Sequence, residues 1–508
     1  MNSEQSHIIE KVFLEVTTPG EKEAYWVKNN ISSYLNGELL PLLDELFIKY
    51  DTNNEIIRFD ELNIEVLLKN MEDLPAAKFE VVKSIANQLD NGRIEVNESV
   101  DNPQKVIFSR QVVDTETNLQ NTFLFFIEKG YLPWFGKQEY IYELSQPKQW
   151  ITILKKESFF EAIRNVLKQN EDAVERFVFQ FSEEQILEFV SATNKVQIAN
   201  KTLLLRFLRE SDFPFKIFFL KRLLLLSFGT LKKQGVAELV ELHISDRSFE
   251  KKKITEIAKT AQLFVSQIRK FFAKETFQNY FLYSKKEIEQ IDEFILVQSK
   301  TIQSGRRPNE FSNSHTKLKS TFTRKEFVNS DKKKEPPFFE NITSDIVVRK
   351  AGLVLFCPFL NAFFKHFNWL EENGSLKPDI IYKAVQTLHY LATGNELFFE
   401  GDLILEKFLC GIKLNASIPN KSFIDQEIKT EIENLLYQVI RSWPELKNTG
   451  PDGLRQMFVQ RDGKLIKKEK GYKLIVEHKV QDVLMEKLQW NFSLIKLPWK
   501  DELLFVEW

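Results

Sequence analysis

Six histidines and two cysteines are the residues of this 508-residue chain best suited to metal binding or catalysis. Their spacing serves neither. His7, His243, His315, His366, His389 and His478 are scattered, none four residues from another and none with a cysteine or carboxylate at ligand spacing. His389 lies in QTLHYLATG, a helix with apolar neighbours, and His478 alternates onto a strand face, so both read as structural. Cys357 and Cys410 sit in the apolar runs VLFCPF and KFLCGI, as small buried hydrophobes of a reducing compartment. No Ser-His-Asp or Cys-His arrangement is visible. The stretch Gly450-Pro451-Asp452-Gly453 lacks the Lys-Ser/Thr of a phosphate loop and the preceding strand of a dinucleotide site. A turn feeding a helix at Leu454 explains it, with Thr449 as cap and Pro451 in the first helical turn. The expectation is a chain without catalysis, metal or cofactor.

The elements around these residues predict an α+β, predominantly helical fold. Residues 1–100 read as a small β-α-β module. Ile8, Val12, Leu14 and Val16 alternate as a strand, a helix starts near Glu21, a second segment runs 39–50, and residues 62–66 alternate as the next strand. A further helical piece spans 76–89. Residues 118–297 are helical in pattern, with a capping box at Ser182 and Gln185. Three-four apolar spacing runs from Ile254 through Phe264 and Ile268 to Phe272. Gly130, Pro133, Pro147, Pro214 and Gly235 break this region into pieces. Residues 298–345 are polar, basic and poor in aliphatics, as in a flexible linker. Residues 346–508 return to apolar pattern: helices over 380–392 and 428–441, a hairpin around Lys470-Gly471, and a last strand ending at Trp508.

Charge restricts the partners. Lys and Arg number 70 against 72 Asp and Glu, so no global field draws the chain to nucleic acid or acidic lipid. Met1–Asn70 carries thirteen acidic against six basic residues, and Phe213–Glu275 carries the reverse, thirteen basic against six acidic. Unlike surfaces of this kind favour partner or end-to-end contacts. The basic stretch has no nucleic-acid-binding motif, and its aromatics fall on helical core spacing, so nucleic acid is not the expected partner. Lys216, Lys221 and Arg222 interrupt the most apolar segment, so no membrane insertion is expected, and the N-terminus does not read as a signal peptide.

Several blocks of the sequence resemble the tape-measure family of contractile injection systems, the phage-tail-like particles of bacteria. They are HIIEKVFLEV with ELLPLLDELF and FDELNIEVL, then a weaker LFFIEKGYLPWFG, then AGLVLFCPFLNAFF and VQTLHYLATG through LEKFLCGIKL. VIRSWPELKNTGPDGLRQMFVQRDGKL and the ending WNFSLIKLPWKDELLFVEW follow. Many members read NTSPDGLR where this chain has Gly450 in place of serine. The resemblance implies a non-enzymatic assembly protein that sets the length of the inner tube and sheath, made in the cytoplasm and carried in the particle. Its implied partners are baseplate, hub or inner-tube proteins, with self-association in low copy number. The docking candidates are Trp443, Pro451, Asp452, Leu454, Arg455, Trp490, Leu497, Pro498, Trp499 and Trp508. An adaptor or chaperone that measures nothing is the alternative within assembly; a nucleic-acid or cargo-binding module is the alternative of another class.

Overall fold

Helices dominate the computed structural model, which describes residues 14–51, 55–59, 62–68, 73–91, 110–231, 266–281, 346–446 and 448–508, with His7, Ile9, Val12, Leu239, Leu263 and Phe264. The chain divides into two compact units, Met1–Asn121 with Trp134–Gly136, and Thr122–Pro133 with Lys137–Trp508.

In the first unit, α1 (Glu21–Tyr34) opens with Glu21 and Glu23, which favour the positive end of the helix dipole. It passes through one π-helical turn at Leu35–Leu39, which contains Asn36 and Gly37, into α2 (Leu40–Ile48). Pro41, which has no N–H to donate, falls just past that turn, at the start of α2. Tyr34, Leu39, Leu43 and Leu46 bury against Ile85 and Leu89 of α3 (Leu74–Asn91). Strand β1 (Glu55–Phe59) pairs antiparallel with β2 (Arg110–Asp114), Ile57 opposite Val112. The β-α-β order is present as β1-α3-β2, but the strands are not the stretches expected. Val12, residues 14–18 and residues 62–68 form no strand, and Val12, Leu14 and Val16 are 53%, 49% and 46% exposed. Alternating side chains do not make a strand without a ladder partner for the backbone, and here β2 partners β1.

In the second unit three of the foreseen breaks, Gly130, Pro147 and Pro214, fall at helix ends, and Pro133 lies in a loop. Gly130 leaves α4 (Thr115–Lys129) at φ +82°, and Pro147 opens α6 (Pro147–Lys155) behind α5 (Gln138–Ser145). Next come α7 (Glu157–Gln169), α8 (Glu171–Gln180), α9 (Glu183–Ala192), α10 (Lys201–Glu210) and α11 (Phe213–Phe228), the last with Pro214 in its first turn. The capping box at Ser182 and Gln185 is formed. Trp150 is fully buried among Phe123, Phe177, Phe181 and Phe189 and donates its indole N–H to Gln185 O at 3.1 Å. Of the long amphipathic pattern, Phe264, Ile268, Phe271 and Phe272 are buried as the spacing predicts, with Phe207 against Phe264 and Phe271. Its start, Gly235 and the linker at 298–345 lie outside the described residues. A short helix, α12 (Lys274–Tyr280), closes this part.

Strands β3 (Ile346–Val348), β4 (Gly463–Lys468), β5 (Gly471–Val476), β6 (Leu494–Ile495) and β7 (Leu504–Glu507) form one sheet in the order β3-β4-β5-β7-β6, with β5 and β7 parallel. The hairpin β4–β5 is the one expected around Lys470-Gly471, but β5 ends at Val476, so His478 is exposed and on no strand face. Around the sheet lie a 3-10 turn (Ala351–Phe356), α13 (Cys357–His366), α14 (Ile381–Thr393), α15 (Ile404–Leu409) and α16 (Gln426–Arg441). Gly352 lets the 3-10 turn rest directly on a π-helical turn at Arg455–Val459: a Cβ there would stand 1.8 Å from Phe458 O. No helix among the described residues is long and apolar enough to cross a membrane.

Candidate functional site

The C-terminus of α14 gathers most of the NTGPDGLR block. Gly394 ends the helix in the left-handed region (φ +69°, ψ 8°), its N–H bonded to Tyr390 O at 2.7 Å. A helix end leaves its last carbonyls without intrahelical donors. Here Arg455 Nε donates to Leu391 O at 3.1 Å and Gln460 Nε2 to Ala392 O at 3.0 Å. The same guanidinium meets Asp452 Oδ1 at 2.9 Å and Glu433 Oε1 of α16 at 2.5 Å, and lies over the Tyr390 ring. One buried arginine thus joins three elements. Pro451 and Asp452 occupy the first turn of α17 (Pro451–Leu454), with Leu454 buried in the core. Gly450, not Thr449, is the N-cap, and with no side chain it supplies no cap bond.

Above this joint lies a cavity of about 540 Å³ lined by Tyr390, Thr393, Glu433, Asp452, Arg455 and Gln456 among others. A second, of about 500 Å³, shares Tyr390 and Gly394 with it and is lined by Glu396, Leu397, Lys421 and Ser422. Hydrogen bonds from Lys429 and Ser422 hold the Glu396 carboxyl below the usual carboxylate range. Both surfaces are open and carry charges of both signs; the first is mostly polar and the second mixed, with Leu397 and Phe398 in its wall.

The tryptophans are placed differently. Trp443 is fully buried against Phe458 and Trp490, its indole N–H donated to Leu484 O at 2.9 Å. Trp490 donates to Leu355 O at 3.0 Å, and Trp499 to Leu409 O at 2.7 Å. Trp508 packs half-buried beside Phe492 and Arg461. Leu497 is buried and Pro498 exposed. The structure therefore brings Pro451, Asp452, Leu454 and Arg455 together at one joint and Trp443 with Trp490 at another, leaving Leu497, Pro498 and Trp499 apart from both.

Sequence reading missed the buried charges. Lys350 Nζ lies 3.1 Å from Glu406 Oε1 and donates to Asp402 O at 2.7 Å. His389 stands 3.8 Å from the same carboxylate and donates to Leu397 O at 3.1 Å, as a structural histidine does. Burial opposes the charge on Glu406, yet Lys350 and His389 hold its carboxyl below the usual range. Glu400 pairs with Lys407 at 3.0 Å and with Arg176 at 3.1 Å, all three fully buried. Arg461, also fully buried, donates to Met457 O, Glu477 O and Asp482 Oδ1. The available signal was local: ILEKFL sets Glu406 and Lys407 within an apolar run that leaves little solvated surface.

Among the described residues no group of three or more His, Cys, Asp or Glu could hold a metal ion. No curated protein and no solved structure matches the chain significantly. One family model does, described as contractile injection system tape measure protein, over residues 6–508. That span takes in the opening blocks, the helical middle and the whole C-terminal region, and on it the chain belongs to the family of contractile injection system tape measure proteins.

Proposed function

We propose that the chain sets particle length with its helical middle, residues 118–297, while its two ends grip baseplate, hub or inner-tube proteins. The observation that carries this reading is the family match, which covers both ends and the middle. The fold adds a condition. The longest described helix between residues 118 and 297 is α11, with 16 residues, or about 24 Å. As one rod the same ~180 residues would reach roughly 270 Å. A ruler made of this stretch therefore works opened, not packed.

For docking, the exposed Asp452 and Pro498 and the half-buried Pro451, Trp490, Trp499 and Trp508 offer the contact surface. The buried Trp443, Leu454, Arg455 and Leu497 hold its shape. The role is one of assembly without catalysis or cofactor, begun in the cytoplasm and ending within the particle. The engaged His389 and the two buried cysteines, whose thiols burial pushes up, support it. The test is stoichiometry: quantitative mass spectrometry of purified particles should find a few chains per particle. Absence of the chain from mature particles would overturn the ruler reading in favour of an adaptor.

A further inference from the structure

The face that joins the helical middle to the C-terminal region is polar and charged where it is most deeply buried. From α8, Arg176 donates through Nε to Glu400 at 3.1 Å, through Nη1 to Ile127 O at the end of α4 at 2.6 Å, and through Nη2 to Asn415 O. Lys407 completes the cluster from α15, 3.0 Å from Glu400. One turn earlier on α8, Asp172 accepts from Asn415 Nδ2 at 2.9 Å through its carboxylate and from Ser417 Oγ at 3.0 Å through its carbonyl. One turn later, Gln180 Nε2 donates to Ile418 O at 2.8 Å. The apolar share of the joint includes three ring contacts, Phe126 on Phe399, Phe179 on Tyr382 and Phe213 on Phe423. Gly130 leaves room for the arginine, since a Cβ there would stand 2.4 Å from its guanidinium.

A joint of this composition differs from the aromatic core beneath it. Phe123, Trp150 and Phe177 have nothing to gain from water. The ions and carbonyls of the joint do, because hydration replaces each partner they lose. Buried ion pairs also add less net stability than apolar packing of equal volume. Burial draws the Lys407 ammonium below its usual range while Glu400 opposes that shift, so its charge is held by a partner that opening would release to water. Such a joint shuts specifically and opens into two wettable surfaces.

We propose that this joint is a latch: it holds the measuring helices folded on the C-terminal region until assembly, and opens when they are drawn out. The proposal rests on the ruler reading, and the experiment separates the two. Asp172→Cys with Ser417→Cys places thiols on the two sides of the joint, with the buried Cys357 and Cys410 left unchanged. Cross-linking is verified by gel mobility, and the single-cysteine variants serve as controls. In assembly from purified components, outside the reducing cytoplasm, the oxidised double variant should give at least tenfold fewer full-length particles, and dithiothreitol should restore the yield. Full-length particles at normal yield from cross-linked protein would overturn the latch. If insertions in the middle still lengthen those particles, the ruler survives and only the latch fails; if they do not, both fail. Arg176→Met gives a readout independent of disulfide formation. It should raise hydrogen exchange of the α8 amides about a hundredfold, and unchanged protection would likewise overturn the proposal.

Discussion

Replacing Arg455 by alanine should loosen the C-terminal end of α14 more than any other single change near the candidate site. Leu391 O would lose its side-chain donor, and a buried acceptor left unsatisfied costs about 1–3 kcal/mol. The Glu433 pair adds about 1 kcal/mol at most, because the glutamate side chain is 34% exposed and water screens it. The Asp452 pair adds about 0–0.5 kcal/mol, its carboxylate being 84% exposed. The sum is about 1–4.5 kcal/mol. Arg455→Lys keeps the charge but not the fork that reaches three acceptors, and should cost about half as much. Asp452→Asn should cost least. Because the chain has two compact units, one denaturation midpoint would blur the effect. Hydrogen exchange of amides 385–393 in the full chain is the better assay, with rates expected to rise about 5- to 2,000-fold in Arg455→Ala. A rise under threefold would refute the view that this arginine secures the helix end.

Gly450→Ser should stabilise the chain by about 0.5–1 kcal/mol, from a new N-cap bond and a less flexible unfolded state. The backbone there (φ −90°, ψ 174°) suits any residue and nothing lies within 4 Å of an added Cβ, so a lower melting temperature would contradict the capping argument. Gly352→Ala should cost about 3 kcal/mol or more, since its methyl would meet Phe458 O at 1.8 Å; unchanged soluble yield and melting would refute that close approach. Acid should destabilise the second unit through Glu406 and Glu183. Burial opposes ionisation of both, but Lys350 beside Glu406 and the hydrogen bond from Lys216 to Glu183 hold their folded pKa below the ordinary 4.5. Their contribution is thus complete above about pH 4.5 and is lost as pH falls through the folded values. Asp402, raised by burial, works in the opposite direction. Melts from pH 3 to 7 should show the loss, and Glu406→Gln should reduce it; an unchanged acid limb would contradict the assignment.

Local signals in the sequence were legible, and long-range pairings were not. Ser182 and Gln185 announce their capping box because both partners lie within one turn. The β4–β5 hairpin is visible because its turn residues and alternation are contiguous. Strand β1 finds its partner more than fifty residues later in β2, so the more regular alternation at 62–66 misled. Arg176 and Glu400 are 224 positions apart, and neither carries a mark of the other. Of the candidate site, Pro451 through Arg455 stood out as a block, whereas Glu433 and Tyr390 join it only through the packing of α14 against α16, and Gln460, five residues past Arg455, meets Ala392 O only once its turn lies on the end of α14. The tryptophans read as large apolar groups, but which carbonyl each indole meets depends on the closed core.

The central claim, that the helical middle measures, is tested most directly by the length of particles assembled from a chain with whole helical turns inserted between Thr276 and Val297. Electron microscopy of purified particles gives the length distribution. The increment should be ~1.5 Å per added residue if the stretch is helical when it measures, or nearer ~3.3 Å if it is drawn out straight. Normal particle yield with an unchanged length distribution would contradict the account.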